Sequence, residues 1–460
     1  MRKTSTVLLV NPWITDFAAY DLWSKPLGLL ILASLLREGG IEVAFLDCLD
    51  RHDSFSNTHP EMKPGVSRRY GTGKYPRVRI EKPVVFEHFP RFYYRHGIHP
   101  ESLRRQLRIV PRPDLIWVTS IMTYWYPGVQ RTICVLREAF PETPIWLGGI
   151  YAKLCEKHAR RTSGADVVVN DPLSRLGRRV EHALRVSIRN KDRWGDMTFM
   201  PPPALDLLPN LDYVPILAGR GCPFRCPYCA SARLEPKWEQ RSGEAIYREI
   251  STWRDERGIK DFAFYDDALL LHAESTLKPA LERLCRDGTA LRFHTPNAVH
   301  IRALTPEWCD LLFASGFTTL RLGLETTMPE RHRRWGGKVE KGMFETAVRN
   351  LVRAGFSRNR IGVYLLCGTP GQSPEEVAES VEVVRREGVA PFLAEYSPVP
   401  GSPMWTDAVQ VSPFDLEGEP LYHNNSFFAC RRNDFSYQDL LHLKDLALEA
   451  RRAVDFMEGS

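Results

Sequence analysis

Residues 219–231 read GRGCPFRCPYCAS and place three cysteines, Cys222, Cys226 and Cys229, within eight residues. The stretch just before them, 214–218, is a short apolar run that reads as a β-strand. Further runs of that kind follow at 261–265, 291–294, 318–322, 361–366 and 391–395, and each of the first five strands leads into a helical stretch. Two helix starts are legible: Thr305 caps a helix with Pro306 at its first position, and Ser373-Pro374-Glu375-Glu376 adds a capping-box glutamate. Six strands with right-handed crossovers predict an open, partial (β/α)6 TIM barrel over 213–405 rather than a closed eight-stranded one. Chemistry in such barrels gathers at the carboxyl ends of the strands. The cysteine loop ends strand one, Asp266-Asp267 strand two, Gly323-Leu324-Glu325 strand four, and Gly368-Thr369-Pro370-Gly371 strand five, so these residues are expected to share one site.

Three thiolates on one loop suggest a metal. A closed zinc site takes four ligands, usually in paired knuckles, and no second cysteine pair follows here; structural zinc stays as the plain alternative. Iron–sulfur clusters are held by thiolates. Three of them on a 4Fe–4S cluster leave one iron open, as a catalytic metal position requires.

The C-x3-C-x2-C spacing, with Tyr228 before the last cysteine, resembles the signature of the radical S-adenosylmethionine (SAM) superfamily. The resemblance implies that Cys222, Cys226 and Cys229 hold a 4Fe–4S cluster whose open iron binds SAM. It implies reductive cleavage of SAM to methionine and a 5′-deoxyadenosyl radical, with an electron donor such as flavodoxin or ferredoxin. Phe224 and Tyr228 would lie by the cofactor, Tyr228 beside the adenine. Asp266 and Asp267 would face the methionine amino group, with a turn or cap after the strand as their alternative. Glu325 would contact SAM, and Gly368 and Pro370 would form a turn where backbone approaches ligand. Asn297 could face the cavity, as could His294, for which a core role is the alternative.

Residues 1–185 alternate apolar runs (6–11, 41–47, 115–120, 144–149, 165–170) with helical stretches (27–39, 129–140, 152–160), which predicts a doubly wound, Rossmann-like α/β domain. Residues 186–212, with Pro201, Pro202, Pro203 and Pro209, read as a stiff extended linker. A doubly wound domain ahead of a radical SAM barrel resembles the cobalamin-binding subfamily, many of whose members are methyltransferases. The D-x-H-x-x-G motif of stricter cobalamin domains is missing: NPWITDFAAYDLW after the first strand holds Asp16 and Asp21 but no histidine, and the nearest is His52. Ser120, Gly148 and Gly149, at strand ends, are the candidate cobalamin contacts, with a tight turn as their alternative.

The 460 residues are 43% hydrophobic and 26% charged, the balance of an ordinary globular protein. The apolar run at 27–36 is too short to span a bilayer, and the N-terminus reads as a strand rather than a signal peptide. A cytoplasmic protein without a membrane segment is therefore expected. The other seven of the ten cysteines are scattered, as buried small hydrophobes would be. Residues 63–112 interrupt the first domain with thirteen Lys/Arg against three Glu, interleaved with aromatics. Such a stretch could bind single-stranded RNA; the preferred reading is a packed cap with its aromatics buried. Arg331, Arg333, Arg334 and Trp335 could grip an acidic substrate or form a solvated turn. Residues 406–460 read as a C-terminal extension, a loop and then a small helical tail.

Together these features predict a radical SAM enzyme, with cobalamin-dependent methyl transfer to a small-molecule or biosynthetic intermediate. A cobalamin-independent oxidoreductase, cyclase or mutase is the alternative, and a zinc-bearing RNA-binding protein a more distant one.

Overall fold

A computed structural model describes residues 5–458. The chain forms two compact units, 1–212 with 418–422, and 213–417 with 423–460.

The first unit is built on five parallel strands: β1 (Thr6–Asn11), β2 (Glu42–Asp47), β3 (Leu115–Val118), β4 (Ile145–Leu147) and β5 (Val167–Val168). Their order is β2-β1-β3-β4-β5, the doubly wound arrangement in which strand order reverses beside β1. Val7, Leu8, Leu9 and Val10 of the central β1 are fully buried, because helices cover both faces of a parallel sheet.

Helix α1 (Leu27–Glu38) buries Leu27, Leu29, Leu30, Ile31, Leu32, Leu35 and Leu36 around most of its circumference. A helix that is apolar nearly all round must be covered on more than one side. The covering segment is 186–212, which corrects the expectation of an extended linker. Ala204 N donates to Leu30 O (3.1 Å) and Ser34 Oγ to Pro202 O (2.6 Å). Trp194, Met197, Ala204, Leu205 and Leu208 are buried. The prolines, without N–H groups to satisfy, let this strap lie flat on α1.

The basic insertion folds as two three-stranded antiparallel sheets, each using a short strand that follows β1, and then helix α2 (Pro100–Ile109). Phe17 lies among Phe86, Phe89 and Tyr93, with ring centroids 4.8–5.2 Å apart. Phe86, Phe89, Tyr93 and Tyr75 are buried, whereas Phe92 is 56% exposed under the Arg79 guanidinium. These aromatics make a small core rather than an open stacking face. Helix α3 (Tyr126–Ala139) follows β3.

The second unit is a run of six parallel strands in sequential order: β6 (Val214–Ile216), β7 (Asp261–Phe264), β8 (Arg292–His294), β9 (Phe317–Glu325), β10 (Ile361–Cys367) and β11 (Ala390–Glu395). Helices α4 (Gly243–Arg257), α5 (Leu277–Arg286), α6 (Pro306–Ala314), α7 (Met343–Ala354) and α8 (Pro374–Arg386) connect them. The Thr305 and Ser373 side chains accept from Trp308 N and Glu376 N, as their capping positions dictate. The chain ends on α9 (Tyr437–Glu458), whose Leu440 and Leu443 pack with Phe428, Phe435 and Val377. No helix among the described residues is long and apolar enough to cross a membrane.

Candidate radical SAM site

The cysteine loop leaves β6 through a narrow neck. Gly219-Arg220 pairs antiparallel with Glu239-Gln240 and closes the loop at its base. Gly221 has φ +78°, and a Cβ there would stand 2.3 Å from Lys237 O, so only glycine fits. The Asp266 carboxylate at the end of β7 accepts from Ala218 N (3.0 Å) and Gly219 N (2.5 Å). Asp266 is therefore spent on fixing the neck, and burial lifts its carboxyl to about 7 against the pull of those two bonds. Asn297 reaches across from β8 and donates to Tyr265 O (2.9 Å) and Asp266 O (3.3 Å). Burial raises the Asp267 carboxyl, and the Ser231 hydroxyl lowers it in part. The two aspartates and Asn297 are thus brought together, as buttresses of the loop.

Within the loop, Cys229 N donates to Cys226 O (3.1 Å), and the Cys229 sulfur accepts from Ser231 N (3.4 Å). The Cys222 sulfur lies 4.0 Å from His300 Nε2. Burial pushes the Cys222 thiol up to about 11, and it raises Cys226 too, against the Lys338 charge. A metal must therefore displace these protons on binding. Among the described residues, the one group of three ligating atoms within 4.8 Å of one another is His59, Glu61 and His99. The three thiols do not form such a group.

Three aromatic and charged groups ring the loop. Phe224 packs on His300 at 4.6 Å, and Tyr228 meets the buried Trp335 edge-on at 5.5 Å. The Tyr228 hydroxyl is buried beside Cys226 but makes no hydrogen bond of acceptable geometry. An orphaned hydroxyl at that place suits a position that a bound nucleoside completes. At the end of β9, Glu325 adopts φ +68° beside a bulge and pairs with Lys338 Nζ at 2.8 Å. Lys338 Nζ also lies 5.6 Å from the Tyr228 ring centre.

Other expected site residues do something else. Gly368 has φ +84°, and what approaches it closely is the Phe428 ring, 2.3 Å from where a Cβ would stand. Its turn is closed from within, since Gly368 N and Thr369 N both donate to Gln372 Oε1, with Pro370 half-buried on the same turn. His294 is a core histidine, fully buried between Asp261 and Thr319 at 3.0 Å each. Arg331 is consumed by Glu376 and Gly371 O at 2.6 Å, while Arg333 and Arg334 are exposed. In the first unit, Ser120 Oγ donates to Gly148 O (2.6 Å), and a Cβ on Gly149 would stand 2.1 Å from Ser120 O. These three residues form a locked turn at the ends of β3 and β4. His52 Nε2 pairs with the Asp212 carboxylate at 2.7 Å.

Sequence reasoning missed His300 and Lys338. Both sit in irregular loops, where no period marks a residue as inward-facing.

The radical SAM superfamily profile matches residues 216–384, the span that carries the cysteine loop, Asp266, Glu325 and Gly368. Residues 216–384 thus form a radical SAM domain. The cofactors of a radical SAM domain are a 4Fe–4S cluster and SAM, in keeping with three cysteines on one loop and the orphaned Tyr228 hydroxyl. The chain is 26% identical to an uncharacterized methyltransferase of Pyrococcus horikoshii over 220 residues, 46% of each protein. The match thus spans about half of that relative's length. It is 22% identical over 492 residues to cytidylyl-2-hydroxyethylphosphonate methyltransferase of Streptomyces wedmorensis, covering 92% of this chain and 84% of that protein. Its fold follows that of the radical SAM methyltransferase TsrM from Kitasatospora setae, solved with cobalamin and a [4Fe-4S] cluster bound. The TM-score is 0.67 at 18% identity, over 96% of this chain and 91% of TsrM.

Proposed function

We propose that this radical SAM chain is a methyltransferase that works with cobalamin on a small-molecule substrate. The observation that carries the reading is the three-thiol loop, fixed by Asp266 and faced by the Glu325–Lys338 pair. Likeness of the first unit to a cobalamin-bound fold supports the cobalamin part, as does its doubly wound sheet order.

Cys222, Cys226 and Cys229 would hold the cluster, which with bound SAM supplies one-electron reductive chemistry. The chain's own part is positional. Asp266 and the Gly219–Gln240 pairing set the loop, Tyr228 offers its hydroxyl, and Trp335 shields the aromatic wall from water. Cobalamin would be held at the carboxyl end of the first sheet without a histidine on cobalt, since His52 is committed to Asp212. We infer further an electron donor such as flavodoxin or ferredoxin, and a cytoplasmic setting.

The test is anaerobic reconstitution with iron, sulfide, SAM and reductant, with and without cobalamin, followed by quantifying S-adenosylhomocysteine. Cobalamin-dependent formation that disappears in Cys226→Ala is expected. A fully loaded protein that neither binds cobalamin nor forms S-adenosylhomocysteine with any small-molecule acceptor overturns the reading.

A further inference from the structure

Residue alternation tells the two faces of the barrel wall apart. Leu320 and Leu322 of β9 and Ile361, Val363, Leu365 and Cys367 of β10 are fully buried, and Cys367 packs on Val377 of α8, so this set faces the helices. The alternate set faces the barrel interior: Arg321 and Gly323 of β9, Gly362 and Tyr364 of β10, and Phe392 of β11. Glu325 shares that inner wall, since a Cβ on Gly323 would stand 3.0 Å from Glu325 Oε1. Arg321 thus lies below the Glu325–Lys338 pair, about 13 Å down the strand.

Its neighbours hold the Arg321 side chain in place. The guanidinium carbon is 4.6 Å from the Phe392 ring centre, and Nη1 donates to Leu320 O (3.1 Å). Gly362 on the next strand makes room for it: a Cβ there would stand 2.8 Å from Arg321 Nη1 and 2.9 Å from Phe392 Cε2. Gly362 has no left-handed φ, so space alone calls for glycine. The Tyr364 hydroxyl donates to Pro296 O (3.1 Å), and its oxygen can still accept. Burial lowers Arg321 from the ordinary arginine value, and Tyr364 offsets this in part.

Nothing neutralises the charge. No carboxylate pairs with Arg321 among the described residues. Asp261 of β7 is committed to Arg292 (2.7 Å) and His294 (3.0 Å), and Glu325 to Lys338 (2.8 Å). The other charged group at the Phe392 ring, Arg451 at 4.9 Å, is positive as well. A half-buried guanidinium without an anion is costly.

We propose that Arg321 binds a carboxylate of the substrate, which would extend through the barrel interior from Arg321 toward the cysteine loop. One guanidinium matches one negative charge, and its planar fork matches the two coplanar oxygens of a carboxylate. The rings of Phe392 and Tyr364, edge-to-face at 6.3 Å, give an aromatic wall for the carbon skeleton. The inference names the substrate class within the methyl-transfer reading and rests on that reading.

The full chain, anaerobically reconstituted with its cluster, is titrated calorimetrically with phenylacetate and 3-phenylpropionate and with their uncharged amides. The acids are expected to bind, and the amides at least about tenfold more weakly. Arg321→Met should weaken the acids at least about tenfold and leave the amides unchanged. Arg321→Lys keeps the charge but loses the fork, so it should weaken the acids by a smaller factor, and it decides should Arg321→Met not fold. No binding of either acid, equal binding of an acid and its amide, or unchanged affinity for the acids in the variants overturns the proposal. The readout is binding alone, so a failure to form S-adenosylhomocysteine would sink the methyl-transfer reading without altering this result.

Discussion

Glu325 and Lys338 form an ion pair 2.8 Å long, with only 13% and 10% of their side chains exposed. The pair arises from two local features. Glu325 holds a left-handed backbone (φ +68°) at a bulge, which a residue with a side chain adopts only at a cost. Lys338 lies thirteen residues on, in the loop after the short helix Pro329–Arg334. Burial disfavours the ammonium, but Glu325 and the Cys226 and Cys229 sulfurs outweigh it and raise its pKa. A fixed positive charge therefore stands beside the thiols that would carry the cluster.

Lys338→Met should leave the Glu325 carboxylate buried and uncompensated. A loss of about 3–5 kcal/mol is expected in urea unfolding followed by tryptophan fluorescence. Glu325→Gln with Lys338→Met should recover most of it. If the single variant unfolds within about 1 kcal/mol of wild type, the pair behaves as a solvent-screened contact.

Asp266 makes a pH-dependent contribution. Its carboxyl is raised to about 7 in the folded chain, from the ordinary unfolded value near 3.9. A raised pKa means that the folded state keeps a proton the unfolded state releases. The contribution is full below about pH 4 and is lost as pH rises through about 7. Relative to Asp266→Asn, which does not titrate, wild type should lose roughly 1 kcal/mol per pH unit across that window. A flat difference between the two would show that the bonds from Ala218 and Gly219 outweigh burial.

Gly368→Ala should be destabilising for two separable reasons. The positive φ costs about 1–2 kcal/mol, and the new methyl must displace the Phe428 ring. Phe428→Leu in the same chain should remove the steric part and leave the backbone part. A double-mutant cycle on unfolding free energy measures the coupling, and additivity of the two changes would mean that they do not touch.

Much of this architecture is legible in the sequence because strand runs and helix starts are local signals. The six barrel strands, the Thr305 and Ser373 caps and the cysteine loop all announce themselves over fewer than ten residues. What is not legible depends on distant partners. Gly368 looks like a ligand-facing glycine until Phe428, sixty residues on, fills its open side. His294 looks available until Asp261 and Thr319 take both ring nitrogens. Arg331 belongs to an exposed-looking basic cluster until Glu376 folds back on it.

The segment 186–212 gives the sharpest contrast between composition and packing. Its prolines read as a spacer, and a spacer tolerates truncation of any side chain. In the structure Leu205 is 1% exposed against the first unit, while Arg37 and Asp206 form an ion pair near the surface, 37% and 48% exposed. Leu205→Ala removes buried methyl groups and leaves a cavity beside α1, so it should cost about 2–5 kcal/mol. Arg37→Ala removes a more conspicuous contact but should change unfolding by less than about 1 kcal/mol, since solvent and salt screen it. Thermal and urea unfolding of the two variants side by side make the comparison. If Leu205→Ala is silent, residues 186–212 are a linker after all, and α1 must find other cover for its second apolar face.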